Sequence, residues 1–420
     1  MKDKFLHFFR KVYHLKDKIA FYPTLISLGG AFFAYIMMYA ETQGISNYLI
    51  DFLPELVINN TETARIILTT FIAGLISIMV FSFSMVMILL NQASSNFSPR
   101  LLPGLISNRK HQIILGIYLA TILYCIFILV FIEPTKNNYQ LPGFSVLLSI
   151  VFMVTSLGAF IYFIHSISQE IQIEFIMSRI TKAASNKLEK LLALEENKDF
   201  DFPDTTNWTE FKTKKTGYLQ DISIKILKEI VLKNECKIEI ITKKGTLCYE
   251  GDILFKIEKK LNEKTVDKIY NAFDFSKDEF IEDNYLIAFK HLKEIALKSM
   301  SPGINDPGTA INAIDYLHEL FKLRVKKQEK DYIFKDKECI ILLNIISFEE
   351  ELYNILAALR TYCKHDVILV KKILYFLKDL KKYSTSEFKN TAINKEIENL
   401  LLDANETISN TYDLERLKAD

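Results

Sequence analysis

The sequence has few of the residues that a disulfide-bonded secreted protein needs. Its five cysteines are an odd number, no two of them form a Cys-x-x-Cys pair, and there is a single tryptophan. Reduced thiols are the simplest interpretation, which excludes a disulfide scaffold. A net charge of only +1 excludes a strongly basic nucleic-acid-binding protein, and a hydrophobic content of 50% excludes intrinsic disorder.

Common catalytic and cofactor-binding motifs are missing as well. There is no His-Glu-x-x-His, no Cys/His metal quartet, no Gly-x-Ser-x-Gly, no Gly-x-Gly-x-x-Gly and no Walker motif. Asp315, His318 and Glu319 share a helix face, but such a triple is expected by chance in a chain with seven histidines and many acids. We therefore predict no metal, no cofactor and no enzymatic activity. An enzyme would require a cleft in which Asp306, Asp283, His318 or Arg360 converge.

Charge is scarce in the first 170 residues. They contain 19 charged residues, whereas residues 171–420 contain 84. Charge-free stretches cover residues 19–40, 66–99, 112–132 and 137–169. Each reaches the roughly 20 residues that a helix needs to cross a bilayer. The fold class that we predict is an α-helical membrane protein with four transmembrane helices, in a membrane domain spanning 19–168, at about 19–40, 66–92, 112–132 and 144–167.

The distribution of basic residues predicts the orientation in the bilayer. The tail 1–18 has six basic residues, the loop 41–65 has four acids and one base, and the loop 100–111 has three bases and no acid. By the positive-inside rule, both termini lie in the cytoplasm. The lipid bilayer is then a partner, and we expect no nucleic-acid partner.

A polar stripe runs along the second transmembrane helix at intervals of seven residues. Residues seven apart lie nearly above one another on a helix, and a polar stripe in hydrocarbon faces protein or water. Small and hydroxyl residues at a helix–helix contact are one explanation, and the wall of a pore in a homo-oligomer is the other. The stripe consists of Thr70, Ser77, Ser84, Asn91 and Ser98.

Three residues near the predicted cytosolic ends of the spans are of interest. Pro99 ends the second helix because it lacks a backbone N–H group. Arg100 follows, either with its guanidinium among the lipid headgroups or with a buried partner in the cytosolic half. His165 is the only histidine within an apolar stretch. It is either a hydrogen-bond donor at the cytosolic edge or part of a gate.

The charged half is predicted to be a cytosolic α+β domain. Residues 169–216 continue the fourth span as a helical extension followed by a linker, and residues 217–258 form a small β-rich unit. Residues 259–420 form a mainly helical bundle, with helices at 259–275 and 281–300 and one hairpin at 331–345. Lys and Glu dominate the outer helix faces, which indicates a solvated surface.

The segment SPGINDPGTA at 301–310 interrupts the helices. Asp306 followed by Pro307 is a strong start signal, with Asp as the N-cap and Pro at the first helical position. A rigid corner between two helices is one interpretation. An anion site at the new helix N-terminus is the other, although the carboxylate of Asp306 would repel an anion.

Several stretches together resemble a bacterial family of predicted membrane proteins, the domain of unknown function 2254. The clearest are ALKSMSPGINDPGTA at 296–310 and LNQASSNFSPRLL at 90–102, supported by FIHSI at 163–167, TGYLQ at 216–220 and FEEELYNILAALR at 348–360. The resemblance implies a multi-span membrane domain and a cytosolic domain, and it implies no biochemical activity. The residues that match the family motifs are Asn91, Ser98, Pro99, Arg100, His165, Asp283, Ser301, Pro302, Asn305, Asp306 and Pro307. The chain departs from the pattern near Glu279 and Phe280, where an Arg-Thr pair is expected.

Two functions fit the sequence. The first is an oligomeric channel-like or transport-related protein with a regulatory cytosolic domain, because a polar heptad stripe is present and no catalytic set is. The second is a membrane-anchored sensor or scaffold whose cytosolic domain binds a ligand or a protein.

Overall fold

The structure, a computed structural model, describes residues 20–50, 58, 60–96, 109–132, 142–170, 172–195, 202–276, 284–335 and 338–419. The chain divides into two compact units, Met1–Gln172 and Ile173–Asp420. We call them the membrane unit and the α+β unit. The predicted fold class, four transmembrane helices followed by an α+β region, is confirmed.

Among its described residues, the membrane unit has four helices that are long and apolar enough to cross a bilayer, and one short helix. The long helices are α1 (Phe21–Thr42), α3 (Thr61–Asn96), α4 (Arg109–Phe131) and α5 (Gly143–Glu170), and the short one is α2 (Ile45–Ile50).

Helix α3 begins before the charge-free stretch that predicts it. Asn60 caps it, since its Oδ1 accepts a hydrogen bond from the backbone N–H of Thr63 at 3.0 Å. Arg65 therefore lies within the helix, and its Nη2 donates to the carbonyl of Ile132 at 3.0 Å. That carbonyl follows the last turn of α4, where the helix dipole favours a cation.

Two glycines allow close contact between α1 and α4. A Cβ added at Gly30 would lie 2.6 Å from the Cβ of Ala120 and 2.7 Å from its Cα. A Cβ added at Gly116 would lie 2.8 Å from Cδ1 of Ile26. Gly29, one position before Gly30, has open space around it. Small residues thus bring the two backbones together, as they do in many membrane helix pairs.

A buried carboxylate joins the end of α1 to the start of α5. Glu41 is 1% exposed, and its Oε1 accepts hydrogen bonds from the backbone N–H and the hydroxyl of Ser145, both at 2.8 Å. Its Oε2 accepts from the hydroxyl of Ser46, whose oxygen in turn accepts from the backbone N–H of Phe144 at 3.0 Å. An acid at a helix N-terminus is favoured by the helix dipole. Glu41 therefore stabilises a specific arrangement of α1, α2 and α5.

Helix α4 lies at the centre of the membrane unit, in contact with α1, α3 and α5. Its Thr121 Oγ1 lies 3.2 Å from Ser156 Oγ of α5, and the hydroxyl of Tyr124 donates to the carbonyl of Ser145 at 3.0 Å. Because α4 is apolar on every side, the periodicity of its sequence does not identify which helices it contacts.

The α+β unit has two sheets among its described residues. The larger has the strand order β1-β5-β3-β8-β7, with β1 at Thr209–Lys212, β3 at Ile238–Ile240, β5 at Ile253–Ile257, β7 at Lys330–Lys335 and β8 at Glu338–Asn344. The smaller has the order β4-β2-β6, with β2 at Gly217–Ile222, β4 at Leu247–Cys248 and β6 at Phe273–Ser276.

The larger sheet joins strands that are distant in the sequence. β3 pairs with β8 in parallel, with Ile238 opposite Ile341, and the predicted hairpin at 331–345 is confirmed as the antiparallel pair β7 and β8. Strands from both sides of residue 258 in the sequence therefore belong to one sheet. The division into domains at residue 258 stays a prediction. The predicted helix 259–275 is wrong at its end, because residues 273–276 form strand β6. Phe273 and Phe275 point toward one face of the sheet and pair with β2.

Helices cover the rest of the α+β unit. The first of them follows α5 after a break, since the backbone N–H of Gln172 donates to the carbonyl of Gln169 rather than continuing the helix. The predicted continuous extension of the fourth span is therefore two helices. Those of the α+β unit are α6 (Ile173–Leu194), α7 (Ile224–Asn234), α8 (Glu263–Tyr270), α9 (Leu286–Ser299), α10 (Pro307–Arg324), α11 (Phe348–Cys363), α12 (Val367–Leu380), α13 (Glu387–Thr407) and α14 (Thr411–Ala419).

The contact of Gly30 with Ala120 gives a direct test of the packing of α1 on α4. We expect Gly30→Ala to destabilise the membrane unit by about 1–3 kcal/mol, because the added methyl group meets backbone atoms that must move. Gly29→Ala is the matched control and should leave stability unchanged or raise it by up to about 1 kcal/mol, since alanine favours the helix. The measurement is the thermal midpoint of the purified protein in detergent, and equal midpoints for the two variants would contradict this packing.

Candidate functional site

The polar stripe of the second transmembrane helix, α3, lies on the outer surface of the membrane unit. Thr70, Ser77, Ser84 and Asn91 are all exposed in the single chain. Ser98 lies outside the described residues. The four described members of the stripe therefore face neither α1, α4 nor α5, and none of them is enclosed within its own chain.

The opposite face of α3 is the one that packs within the unit. Ala64, Leu68, Leu75, Ser82 and Leu89 are buried, and α3 contacts α4 and α5. Leu75 and Ser77 are two residues apart, which places them about 200° apart on a helix. The inward face is mostly apolar, and the outward side carries the polar stripe among exposed apolar side chains such as Ile76, Val80 and Phe83.

The serine hydroxyls on the stripe donate to their own helix. Ser77 Oγ donates to the carbonyl of Ala73 at 3.0 Å, and Ser84 Oγ donates to the carbonyl of Val80 at 2.9 Å. Each hydroxyl oxygen keeps lone pairs that can accept a further hydrogen bond. The stripe accordingly presents oxygen acceptors to whatever covers it, and acceptors suit water molecules and cations.

The motif loop between α9 and α10 forms a sharp corner. Asn305 has a left-handed backbone with φ of 48°, and the backbone N–H of Asp306 donates to the carbonyl of Ser299 at 2.7 Å. Asp306 is the N-cap of α10, since its Oδ1 accepts from the backbone N–H of Thr309 at 3.1 Å, and Pro307 occupies the first turn. The carboxylate of Asp306 therefore takes the position that an anion would use at this helix N-terminus.

The other described motif residues lie on α5 and in the corner before α10. His165 is exposed on α5, with its Nε2 3.2 Å from Nε2 of Gln169. Ser301 donates its hydroxyl hydrogen to the carbonyl of Lys298 at 2.6 Å, and Pro302 is exposed in the same corner. The remaining motif residues lie outside the described residues, namely Ser98, Pro99, Arg100 and Asp283.

The residues considered for an enzyme have separate partners. Asp306 and His318 are twelve residues apart on α10, which corresponds to about 18 Å along a helix. His318 Nε2 lies 3.1 Å from Oδ2 of Asp379, and the hydrogen bond from Lys322 lowers the pKa of Asp379 to about 2. Within the described part of the chain, no group of three His, Cys, Asp or Glu side chains could hold a metal ion.

Arg360, the remaining candidate, lies in a buried ion pair. It contacts Glu396 through Nη1, and its Nε donates to Oδ2 of Asp403 at 3.0 Å, so it joins α11 to α13. The prediction of a solvated surface concerns the outer faces of these helices, but several of their Lys and Glu side chains lie inside the unit. Those that are buried include Glu351, Lys389 and Glu396.

A buried ionic network connects five elements of the α+β unit, and the sequence does not single it out. Arg324, at the end of α10, is fully buried, with its Nε 2.8 Å from Oε2 of Glu351 and its Nη2 2.9 Å from the carbonyl of Ile346. Lys327 is also fully buried, with its Nζ 2.6 Å from Oε1 of Glu195 and in contact with Asp331.

Further charges complete the network. Lys389 of α13 donates to the carbonyl of Val325 at 2.9 Å and lies 3.4 Å from Glu329. Burial raises the pKa of Glu351 to about 7, although the attraction of Arg324 opposes that shift. From the sequence alone, charged side chains in a Lys-rich helical segment are expected to be solvated. The packing of α6, α10, α11, α13 and β7 buries the charged side chains of this network.

Four apolar helices followed by a charged α+β unit define a multi-pass membrane protein. The chain belongs to the family described as "Predicted membrane protein (DUF2254)", whose model matches residues 16–379. Uncharacterized proteins from Mycobacterium bovis and Mycobacterium tuberculosis are each 22% identical over 351 residues, which is 80% of this chain and 67% of each relative. No solved structure matches the chain.

The buried network predicts a large effect of one substitution on the α+β unit. We expect Arg324→Met to lower the free energy of unfolding by about 3–5 kcal/mol, because it leaves the carboxylate of Glu351 buried without its cation. Lys243→Met is the control. Lys243 forms a surface ion pair at 2.7 Å with Glu350, the residue before Glu351, and this pair should contribute about 1 kcal/mol or less to the free energy of unfolding. Trp208, the single tryptophan, lies in the α+β unit, so its fluorescence during urea unfolding reports on this unit.

The effect of Arg324→Met should also depend on pH. Without the arginine, the folded-state pKa of Glu351 lies further above its unfolded value, so the unfolded state releases the proton first and stability falls as pH rises. The destabilisation should therefore be smaller at about pH 5 than at about pH 8. If Arg324→Met and Lys243→Met lowered the free energy of unfolding equally at both pH values, the result would contradict the role of Arg324 in the buried network.

Proposed function

We propose that the protein is an oligomeric channel-like or transport-related membrane protein in which α3 of each copy faces the others. The observation that carries this proposal is the outward position of Thr70, Ser77, Ser84 and Asn91. A single chain leaves this polar face against lipid. A second copy, or water enclosed by several copies, provides the hydrogen-bonding surroundings that hydrocarbon lacks.

The acceptor oxygens on this face favour a hydrated centre over a dry contact. Ser77 and Ser84 already use their hydrogens within α3, so neither can donate to a neighbouring copy without giving up that bond. Water molecules and cations can interact with the remaining lone pairs. Dry helix packing between copies is the competing arrangement, because small hydroxyl residues also bring helices together.

The proposal includes the orientation that the sequence predicts. The protein lies in a bacterial inner membrane. Both termini are cytoplasmic, since basic residues concentrate in the tail 1–18 and in the loop 100–111. The α+β unit is then cytosolic and regulates or assembles the membrane unit. The protein acts without a metal or a cofactor and catalyses no reaction in this proposal.

Ion flux through the oligomer tests the role of the stripe. We expect liposomes that contain the protein to release K⁺, and Ser84→Leu to reduce the rate about tenfold or more, because a leucine ring around the axis removes oxygen ligands and favours dewetting. Thr69→Leu is the matched control, since Thr69 is exposed on α3 about 100° from Thr70 and outside the stripe. Absence of flux from a well-folded oligomer, or equal flux from both variants, would count against the channel.

The mass of the protein in detergent tests the oligomer independently. Three or more copies are needed to enclose an axis with one α3 from each copy, so we expect a complex of at least that size. Light scattering coupled to size-exclusion chromatography gives the protein mass after subtraction of the detergent. A monomer would rule out the channel, and a dimer would indicate that the stripe is a contact between two helices.

A second function is favoured by a cavity in the α+β unit. A membrane-anchored sensor needs a ligand pocket outside the bilayer, and this unit encloses a cavity of about 460 Å³. That volume lies within the usual range for small-molecule sites. In this alternative, the stripe is only a packing surface and the α+β unit carries the function.

A further inference from the structure

The 460 Å³ cavity lies where the parallel strands β3 and β8 end. Asn344 and Ile346 line it from the end of β8, and Lys244 lines it from the turn after β3. Ligands of α/β sheets commonly bind outside the carboxyl ends of parallel strands, because the following loops and helix N-termini converge there. Lys187 and Leu191 of α6 line the same cavity.

The polar groups around the cavity favour an anion. Among its acidic residues, Asp221 is paired with Lys244 at 2.5 Å, and Glu195 and Asp331 are both paired with the buried Lys327. Lys187 and Lys225 also line the cavity. Their ammonium groups add positive charge beside carboxylates that each already have an ion-pair partner.

The N-terminus of α7 adds backbone donors. Ser223 is its N-cap but makes no side-chain hydrogen bond to the helix, and Ser223, Ile224 and Lys225 line the cavity. The first N–H groups of an α-helix have no partner within the helix and carry partial positive charge. An anion in the cavity can accept hydrogen bonds from them.

A buried hydroxyl provides an independent indication of a ligand. Tyr285 lines the cavity and is 7% exposed, and its hydroxyl has no hydrogen-bond partner among the described residues. Unsatisfied buried groups are costly, so their retention beside a cavity points to a partner that binds there.

We propose that this cavity binds a small organic anion, with a carboxylate or phosphate group on an apolar or aromatic body. The anionic group lies at the N-terminus of α7 with Lys187 and Lys225. The hydroxyl of Tyr285 donates a hydrogen bond to the ligand, and the apolar body contacts Tyr332 and Phe334 of β7. The site is independent of the proposed channel, because every residue that forms it belongs to the α+β unit.

Binding of small probes to the full-length protein in detergent tests the site. The probes are phenyl phosphate and benzoate, which combine an anion with an aromatic body, and the comparison probes are inorganic phosphate and phenol. We expect isothermal titration, corrected with a detergent-only blank, to detect phenyl phosphate, benzoate or both. The preferred member of the pair identifies the anionic group. No binding of either at millimolar concentration, or binding of phenol equal to that of both anions, would overturn the proposal.

Substitutions locate the bound probe. The double variant Lys187→Gln/Lys225→Gln should weaken binding about tenfold or more, because it removes two cations from the anion position. Lys233→Gln is the matched control, since Lys233 is exposed at the opposite end of α7. Equal affinity of the double variant and the control would place the probe elsewhere and contradict the site.

Tyr285→Phe separates a ligand contact from a structural role. We expect it to weaken probe binding about tenfold while leaving the urea midpoint of the ligand-free protein, read from Trp208 fluorescence, unchanged or higher. The reason is that the substitution removes a buried hydroxyl that has no protein partner to lose among the described residues. Unchanged affinity, or a lower midpoint in the ligand-free protein, would contradict the assigned role of the hydroxyl.

Discussion

The absence of water from the bilayer core governs the structure of the membrane unit. Every polar group that enters hydrocarbon needs a partner supplied by protein, and the described residues show how this need is met. Glu41 has the hydroxyl and backbone N–H of Ser145, and Ser77 has a carbonyl of its own helix. The outward stripe on α3 is the polar surface from which the proposed oligomer is argued.

The α+β unit meets the opposite problem, since its surface is in water and its interior encloses charge. Arg324 and Lys327 are fully buried, and their carboxylate partners come from the residue that follows α6, from α11 and from β7. A buried ion pair gives little net stability, but removing one partner is costly, so such a network fixes how these elements meet. The same elements surround the cavity, and α6 begins three residues after α5 ends along the chain. A ligand in the cavity would therefore contact the helix that follows the last transmembrane segment.

Local signals predicted the elements better than their contacts. Asp306 and Pro307 start α10 as the sequence indicates, and the hairpin of β7 and β8 forms where alternation and turn residues predict it. The helix predicted at 259–275 is wrong beyond Tyr270, because the partner of Phe273 and Phe275 is β2, more than fifty residues earlier in the chain. Glu351 and Lys389 look like solvated charges because a sequence does not record which elements cover a helix face.

The sequence by itself determined the transmembrane class, the order of the two units, and the seven-residue spacing of the stripe. Each of these depends on composition and helix geometry, which are properties of consecutive residues. Only the tertiary structure decided that α4 lies at the centre of the membrane unit, that the stripe faces outward, and that β3 pairs in parallel with β8. The cavity at the end of that parallel pair, with the hydroxyl of Tyr285 beside it, depends on contacts between residues far apart in the chain. Such contacts result from packing, and no local pattern encodes them.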